Sequence, residues 1–332
     1  MKKFEYVWLD GYKPEQSLRS KVKVGEYAET WSFDGSSTEQ ATGDNSDCIL
    51  NPVSEYKTID RIRADATRTA PGLEGTYVMC EVLGANHLPH PSNTRNYCQN
   101  LVGDEWWFGF EQEYFMYKDG RPLGWPEKGK PRAQGDYYCG VGEGNVVGRE
   151  IVDRHTEACM NAGIGITGTN AEVALGQWEF QVLGKGIGAG DDLWMARYIL
   201  QRVSEKHGVS INFAPKPQTG DWNGSGMHTN FSNDEMRHRS SKDKLEDICK
   251  KLGQSHKSAI HEYGSDNEKR LTGKHETQSI KKFSFGVSDR GASIRIPIVT
   301  VDNNWNGYLE DRRPAANADP YRVIRHIVET LI

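Results

Sequence analysis

Phe108-Gly109-Phe110-Glu111-Gln112-Glu113-Tyr114-Phe115 is the stretch from which the fold can be read. Its composition and alternation predict a β-strand, in which residues two apart share a face. Glu111 and Glu113 therefore project together, while Phe110 and Gln112 point away. An isolated Glu-x-Glu is ordinarily a solvated strand face. Here the flanking aromatics argue for burial, and two buried anions side by side call for a cation.

Three further segments repeat the theme. Asn170-Ala171-Glu172-Val173-Ala174-Leu175-Gly176-Gln177-Trp178-Glu179-Phe180 reads as a hairpin turning at Leu175-Gly176, with Glu172 directly across from Glu179 unless a longer turn separates them. Like charges facing each other across strands destabilise, by about 4 kcal/mol at about 4 Å and an effective dielectric near 20. Burial then requires a proton or a divalent cation between them. In Gly224-Ser225-Gly226-Met227-His228-Thr229-Asn230-Phe231-Ser232, a strand places His228, Asn230 and Ser232 on one face and Met227, Thr229 and Phe231 on the other. In Tyr308-Leu309-Glu310-Asp311-Arg312-Arg313, the same spacing groups Tyr308, Glu310 and Arg312, although an exposed ion-paired strand would look alike.

Around these motifs the chain divides in two. Up to about residue 80, short apolar runs (Tyr6 to Leu9, Val22 to Val24, Cys48 to Leu50, Tyr77 to Cys80) alternate with turn residues, which predicts a small β-rich domain. After Gly84 to Asn96, helical spacing appears between strands, so the second domain is expected to be α+β. Helices are expected from about Val146 to Asn161 with a stop at Gly163, after Asp191 with a stop at Gly208, and from about Lys242 to Tyr263. The last opens at Asp319-Pro320, a capping residue followed by proline. No internal repeat is present.

A length of 332 residues with 36% apolar and 26% charged content suits roughly two folded domains. No apolar run approaches the roughly 18 residues of a spanning helix, and the start lacks a signal-peptide pattern, so a cytoplasmic protein without membrane contact is expected. Six cysteines lie far apart with no Cys-x-x-Cys, which fits reduced thiols in a cytosol better than a disulfide framework or a zinc site. With 41 basic and 46 acidic residues, a net charge of −5 and no basic run, nucleic acid is not an expected partner and a small molecule is.

Several motifs then fall into one order: Trp31 to Thr38 (WSFDGSST), Phe110-Glu111-Gln112-Glu113, Gly176 to Gln181 (GQWEFQ), Asn223 to Asn230 (NGSGMHTN), Arg270-Leu271-Thr272-Gly273, His275-Glu276-Thr277, Arg290 to Arg295 (RGASIR) and Glu310 to Ala315 (EDRRPA). Over almost its whole length the sequence resembles the glutamine synthetases, specifically the shorter, eukaryotic-type class II enzymes. The resemblance implies a β-grasp-like domain at 1–84 and a catalytic α+β domain at 85–332, built on a curved antiparallel sheet. It also implies a homo-oligomer, expected as a decamer of two pentameric rings with active sites between adjacent subunits. The C-terminal extension that carries adenylylation control in class I is not expected.

Carried over by position, the resemblance implies two sites for Mg²⁺ or Mn²⁺, one formed by Glu113, Glu172 and Glu179 and the other by Glu111, His228 and Glu310. Oxygen-rich donor sets suit these ions. ATP is the implied co-substrate, near Glu179, Asn230, Phe231, Ser232, Arg290, Arg295 and Tyr308. L-Glutamate is implied at Asn223, Gly224, Arg270, Arg290 and Arg312, and ammonium at Asp34 with Ser37 close by. Asp34, Glu276 and Arg290 are the implied catalytic residues, Glu276 lying on a flap. Leu175 departs from the proline of many members. The implied reaction is ATP-dependent ligation of ammonia to glutamate through a γ-glutamyl phosphate. A ligase for an organic amine would lack the small anionic ammonium site, and a catalytically silent relative would have lost ligands or arginines; this sequence keeps them.

Overall fold

Residues 1–59 and 74–332 are described by a computed structural model. The N-terminal part is a five-stranded sheet of β1 (Lys2–Leu9), β2 (Leu18–Gly25), β3 (Trp31–Asp34), β4 (Asp47–Ile59) and β5 (Glu74–Gly84), ordered β2-β1-β5-β4-β3. β1 runs parallel to β5 and the other pairs are antiparallel. The run Tyr6 to Leu9 is buried on both sides. Phe4, Tyr6 and Trp8 join the small domain's own core with Phe33 and Val78, whereas Val7 and Leu9 join the main core. That is the alternation of a strand covered on two faces.

The larger part is built on nine strands: β6 (Trp107–Lys118), β7 (Arg121–Pro122), β8 (Ile166–Ala171), β9 (Gln177–Lys185), β10 (Ser210–Asn212), β11 (Met227–Ser232), β12 (Phe285–Val287), β13 (Ile294–Ile296) and β14 (Leu309–Asp311). Their path is β12-β13-β14-β11-β6-β9-β8, with β7 and β10 also pairing with β6, and only β12 and β13 are parallel. The sheet is thus curled and antiparallel-rich, as expected. β6 sits near its middle, with Phe108, Phe110, Gln112 and Tyr114 fully buried on the helix side.

Seven helices are described: α1 (Arg149–Ala162), α2 (Gly188–Glu205), α3 (Asp234–His238), α4 (Lys242–Gln254), α5 (His256–Glu262), α6 (Ile298–Asp302) and α7 (Pro320–Leu331). α1 stops at Gly163 as expected, in the left-handed region at φ 82°, but it starts at Arg149 and not Val146 because Gly148 is left-handed at φ 80°. α7 opens as expected, with the Asp319 carboxylate accepting from the Tyr321 N–H. The expected single helix from Lys242 to Tyr263 is two helices broken at Ser255, whose hydroxyl donates to the Leu252 carbonyl. No helix among the described residues is long and apolar enough to cross a membrane.

The two sheets are clasped through the start of α2. Asp191 accepts from Ser54 Oγ at 2.8 Å, from the Arg95 guanidinium at 2.8 and 2.9 Å, and from Tyr321. Tyr56 donates to Asp192, and Tyr198 of α2 donates to Glu5. A helix that packs behind the main sheet is therefore fixed by residues of the small domain.

Candidate active site

On the open side of the main sheet lies a cavity of about 380 Å³, walled by Glu111, Glu113, Glu172, Glu179, His228 and Glu310 together with Arg270, Arg290, Arg295 and Arg312. The β6 pleat does aim Glu111 and Glu113 into it together. β11 pairs with β6 so that His228 faces Glu111, and β14 pairs with β11 so that Glu310 faces Asn230. Two groups of ligand atoms result, Glu113/Glu172/Glu179 and Glu111/His228/Glu310, and within each all ligand atoms lie within 4.8 Å of one another.

The route to the first group differs from expectation. Glu172 is not across from Glu179: the connection is the longer loop from Glu172 to Gly176, and Glu179 faces Asn170 on β8. The like charge opposite Glu179 is Glu113, supplied by β6 on the other side. Glu172 reaches the pair from the loop, held by Asn170 Nδ2 at 2.9 Å and by the Val173 N–H at 3.1 Å. Gly176, at φ 85°, closes this loop against the Leu123 backbone, where a side chain has no room.

Among the described residues, Glu113, Glu172 and Glu179 form no ion pair. Burial pushes all three carboxyls up; the neighbouring carboxylates add to this for Glu172 and Glu179, and Arg270 opposes it for Glu113. Three crowded carboxyls without a counter-ion are the donor set a hard divalent cation fits. In the second group, Glu310 meets Arg295 at 2.8 Å and Arg312 at 2.5 Å. His228 Nδ1 stands 3.4 Å from Glu111 and 3.7 Å from Glu310. Burial, with Arg312 and Arg270 close by, holds His228 well below the usual histidine range, so the ring is neutral. Carboxylates plus a neutral imidazole again suit a divalent cation, here in competition with two arginines.

Arg270 is 4% exposed and donates to the Arg312 and Arg313 carbonyls and to His228 Nε2 at 2.9 Å. Gly224 and Gly226 make room for it: a Cβ would lie 2.7 Å from Arg270 Cγ at the first and 2.9 Å from Arg270 Cζ at the second. Glu276 lies on the cavity rim, 3.7 Å from Arg290, with both His275 and Glu276 in the left-handed region. Asn223 and Gly224 are on the wall as well. An adjoining cavity of about 450 Å³ shares Glu111 and Gln181 and is lined by Asn230, Phe231, Ser232 and Tyr308. The Phe231 side chain is buried in the core and turned from the Asn230 face, so only its backbone can serve a ligand there.

Asp34 and Ser37 are not on the cavity wall of their own chain. They lie at the tip of β3, exposed, with Asp34 accepting from Ser36 N–H and Oγ and from Ser37 Oγ at 2.8 Å. Those hydrogen bonds, Ser36 first, hold the Asp34 carboxyl below its ordinary value.

Sequence reasoning missed several contributors. Gln181 donates to Glu179 at 2.8 Å, and its place two residues along the same strand face could have found it. Gln134 receives from the Asn223 N–H, donates to Asn223 Oδ1 at 2.7 Å and contacts His275 at 3.1 Å, while His275 reaches Asp221 at 2.9 Å. It sits in irregular chain, where no periodic signal marks it.

Fold and cavity together define a class: a two-part α+β protein with a cavity lined by clustered carboxylates and rimmed by arginines. Known proteins narrow this. Residues 1–85 match the family model "Glutamine synthetase, beta-Grasp domain" and residues 96–329 match "Glutamine synthetase, catalytic domain". The chain is 50% identical to the glutamine synthetase of Bradyrhizobium diazoefficiens over 99% of its length and 96% of that protein's. It is 49% identical to that of Rhizobium meliloti (97% and 98%) and 46% identical to a chloroplastic glutamine synthetase of Chlamydomonas reinhardtii (99% and 90%). A cryo-EM structure of Plasmodium falciparum glutamine synthetase shares the fold, with a TM-score of 0.76 at 17% identity over 99% of this chain and 71% of that one. The chain belongs to the glutamine synthetase family.

Proposed function

We propose that the activity of this family member, ATP-dependent ligation of ammonia to the γ-carboxylate of L-glutamate, is performed in the 380 Å³ cavity and its 450 Å³ neighbour. The observation that carries the assignment is convergence: both carboxylate groups, four arginines and Glu276 meet on one wall. Glu113, Glu172 and Glu179 would hold one Mg²⁺ or Mn²⁺, and Glu111, His228 and Glu310 another. Bound there, such ions neutralise phosphate charge and polarise the transferring phosphoryl group.

The chain's own residues do the rest. The more apolar cavity beside Asn230, Ser232 and Tyr308 takes the nucleotide, which points its phosphates toward Arg295 and Arg290. Their forked donors, with Arg312, stabilise charge on the phosphoryl in flight. Asn223, the Gly224 backbone and buried Arg270 bind glutamate and aim its γ-carboxylate at the terminal phosphate, giving γ-glutamyl phosphate and ADP. Glu276 closes over that intermediate and excludes water. Ammonium binds beside Asp34, held anionic by Ser36 and Ser37, and gives up a proton to a carboxylate. The amine then attacks the acyl carbon, and phosphate leaves. As Asp34 is exposed and off its own cavity, it serves the site of an adjacent copy, in keeping with a ring-built homo-oligomer, proposed as a decamer. All six cysteines are free, which supports a reducing, cytoplasmic setting.

Phosphate release that requires ATP, glutamate and ammonium together, with a divalent cation, tests the assignment. Hydroxylamine should replace ammonium efficiently and methylamine poorly. Release that favours methylamine over ammonium would instead identify an organic-amine ligase.

A further inference from the structure

Behind the metal-ligand strands, on the helix side of the sheet, lies a charge that the chemistry above does not use. Arg197 of α2 is 2% exposed and forms no ion pair among the described residues. Its guanidinium donates to Gln112 Oε1 at 2.8 and 2.5 Å, to the Ala316 and Ala318 carbonyls at 3.0 Å each, and lies 3.1 Å from Met227 Sδ. Burial lowers it to about 9, against the opposing pull of the Asp319 carboxylate. An unpaired buried cation is costly, and a well-packed apolar side chain would be cheaper for stability.

What it touches gives a reason for the cost. Gln112 lies between Glu111 and Glu113 and points to the opposite face of β6. Met227 immediately precedes His228 on β11. Ala316 and Ala318 lie at the turn that follows β14 beyond Arg312 and Arg313, and Gln112 Nε2 closes the bracket by donating to the Glu113 and Ala316 carbonyls. One planar fork thus ties together the backs of the three elements whose fronts carry Glu111, Glu113, His228, Glu310 and Arg312. The cations that act most strongly on Glu113 are Arg270 and Arg312, so Arg197 works chiefly through placement.

The geometry points to Arg197, through Gln112, as a positioning residue that sets the spacing of both metal-binding groups; this rests on the metal assignment proposed above. Lysine keeps the charge but has no planar fork, so it cannot hold Gln112 and the 316–318 carbonyls together. Methionine fills the space without polar contacts.

The test compares parent, R197K, R197M and the double variant R197M/Q112L by Mn²⁺ binding isotherm, thermal unfolding without metal, and kcat and KM for glutamate. R197K and R197M are expected to lose about ten- to a hundred-fold in Mn²⁺ affinity at both sites, the size of other effects one shell behind metal ligands. Their kcat should fall more than KM for glutamate rises. R197M/Q112L removes the buried charge together with its side-chain partner but leaves the Ala316 and Ala318 carbonyls unmet, so it should recover part of the melting temperature and none of the Mn²⁺ affinity. Parental affinity in R197K, or recovery of affinity in the double variant, would overturn the inference and leave Arg197 a packing residue. R197K decides alone should R197M not fold. A parent protein that binds no Mn²⁺ would instead overturn the metal assignment itself, so the two failures are distinct.

Discussion

Replacing Glu179 with glutamine should stabilise the metal-free protein while removing its response to metal at the Glu113, Glu172 and Glu179 group. Glutamine keeps the shape and still offers an oxygen to Gln181 Nε2, now 2.8 Å from Glu179. The ligand oxygens of Glu113, Glu172 and Glu179 lie within 4.8 Å of one another. At that separation and an effective dielectric of about 20, each ionised pair repels by about 3.5 kcal/mol. Proton linkage gives a similar figure: Glu179 is raised from 4.5 to about 9, so near pH 7.5 its retained proton reflects about 4 kcal/mol of lost stability. The three carboxyls titrate together and share the relief, so the expected gain is about 3 kcal/mol, several degrees in melting temperature. A carboxyl whose folded pKa is raised adds stability below its unfolded value and loses it as pH climbs to the folded one. Metal-free parent protein should therefore melt progressively lower from about pH 5 toward about pH 9, and Glu179→Gln should flatten that slope. With saturating Mn²⁺ the order reverses, because only the parent gains at the Glu113, Glu172 and Glu179 group. Calorimetry across that pH range, with and without Mn²⁺, reads all three effects. A metal-free variant that melts below the parent at every pH would refute the claim that uncompensated carboxylates meet here.

Glu276→Ala should still phosphorylate glutamate but lose the intermediate to water or cyclisation, so phosphate release measured beside glutamine release should exceed it several-fold; a parental ratio and rate would show that Glu276 neither covers nor accepts a proton. Asp34→Ala and Glu113→Ala should each be nearly inactive alone, yet regain partial activity when mixed and allowed to exchange subunits, since some interfaces then pair one intact half from each chain. No recovery after exchange verified by mass would place Asp34 outside the site. Asp311→Asn removes the carboxylate that Arg313 and Tyr263 share in the core, leaving a buried arginine without its partner; denaturant unfolding should show a loss of about 3 to 5 kcal/mol, and a loss under about 1 would mean the pair is not held as drawn.

Much of this site was legible because a strand has period two. Glu111 with Glu113, His228 with Asn230, and Glu310 with Arg312 were grouped by counting alone, and burial of Phe110 and Gln112 behind them follows from the same count. Helix ends were legible where one residue dictates backbone shape, as at Gly163 and at Asp319-Pro320. Period does not say which strand lies alongside, so the facing of Glu179 with Glu113 was invisible, and Glu172 was given a partner that the longer loop denies it. Arg197 was hidden for another reason: an arginine between Ala196 and Tyr198 in a helix reads as a surface residue until the sheet behind it is known.

The corrected register also explains how the protein tolerates its own site. Had Glu172 and Glu179 faced each other across a tight hairpin, their repulsion would have acted on the two-strand element least able to resist it. Instead the fixed pair, Glu113 and Glu179, sits on β6 and β9, which are laddered together from Trp107 to Phe115 and backed by Phe108, Phe110, Tyr114 and Phe180 in the core. Moving either carboxylate out to water would mean breaking that ladder and exposing those rings. Each ring contributes on the order of 2 kcal/mol by burial, which together exceeds the repulsion. Glu172, on a loop, is tied into neither strand of that ladder. A third carboxylate brought in from a loop completes the group without the sheet shifting, and the stability of the aromatic layer beneath is what holds the pair ready.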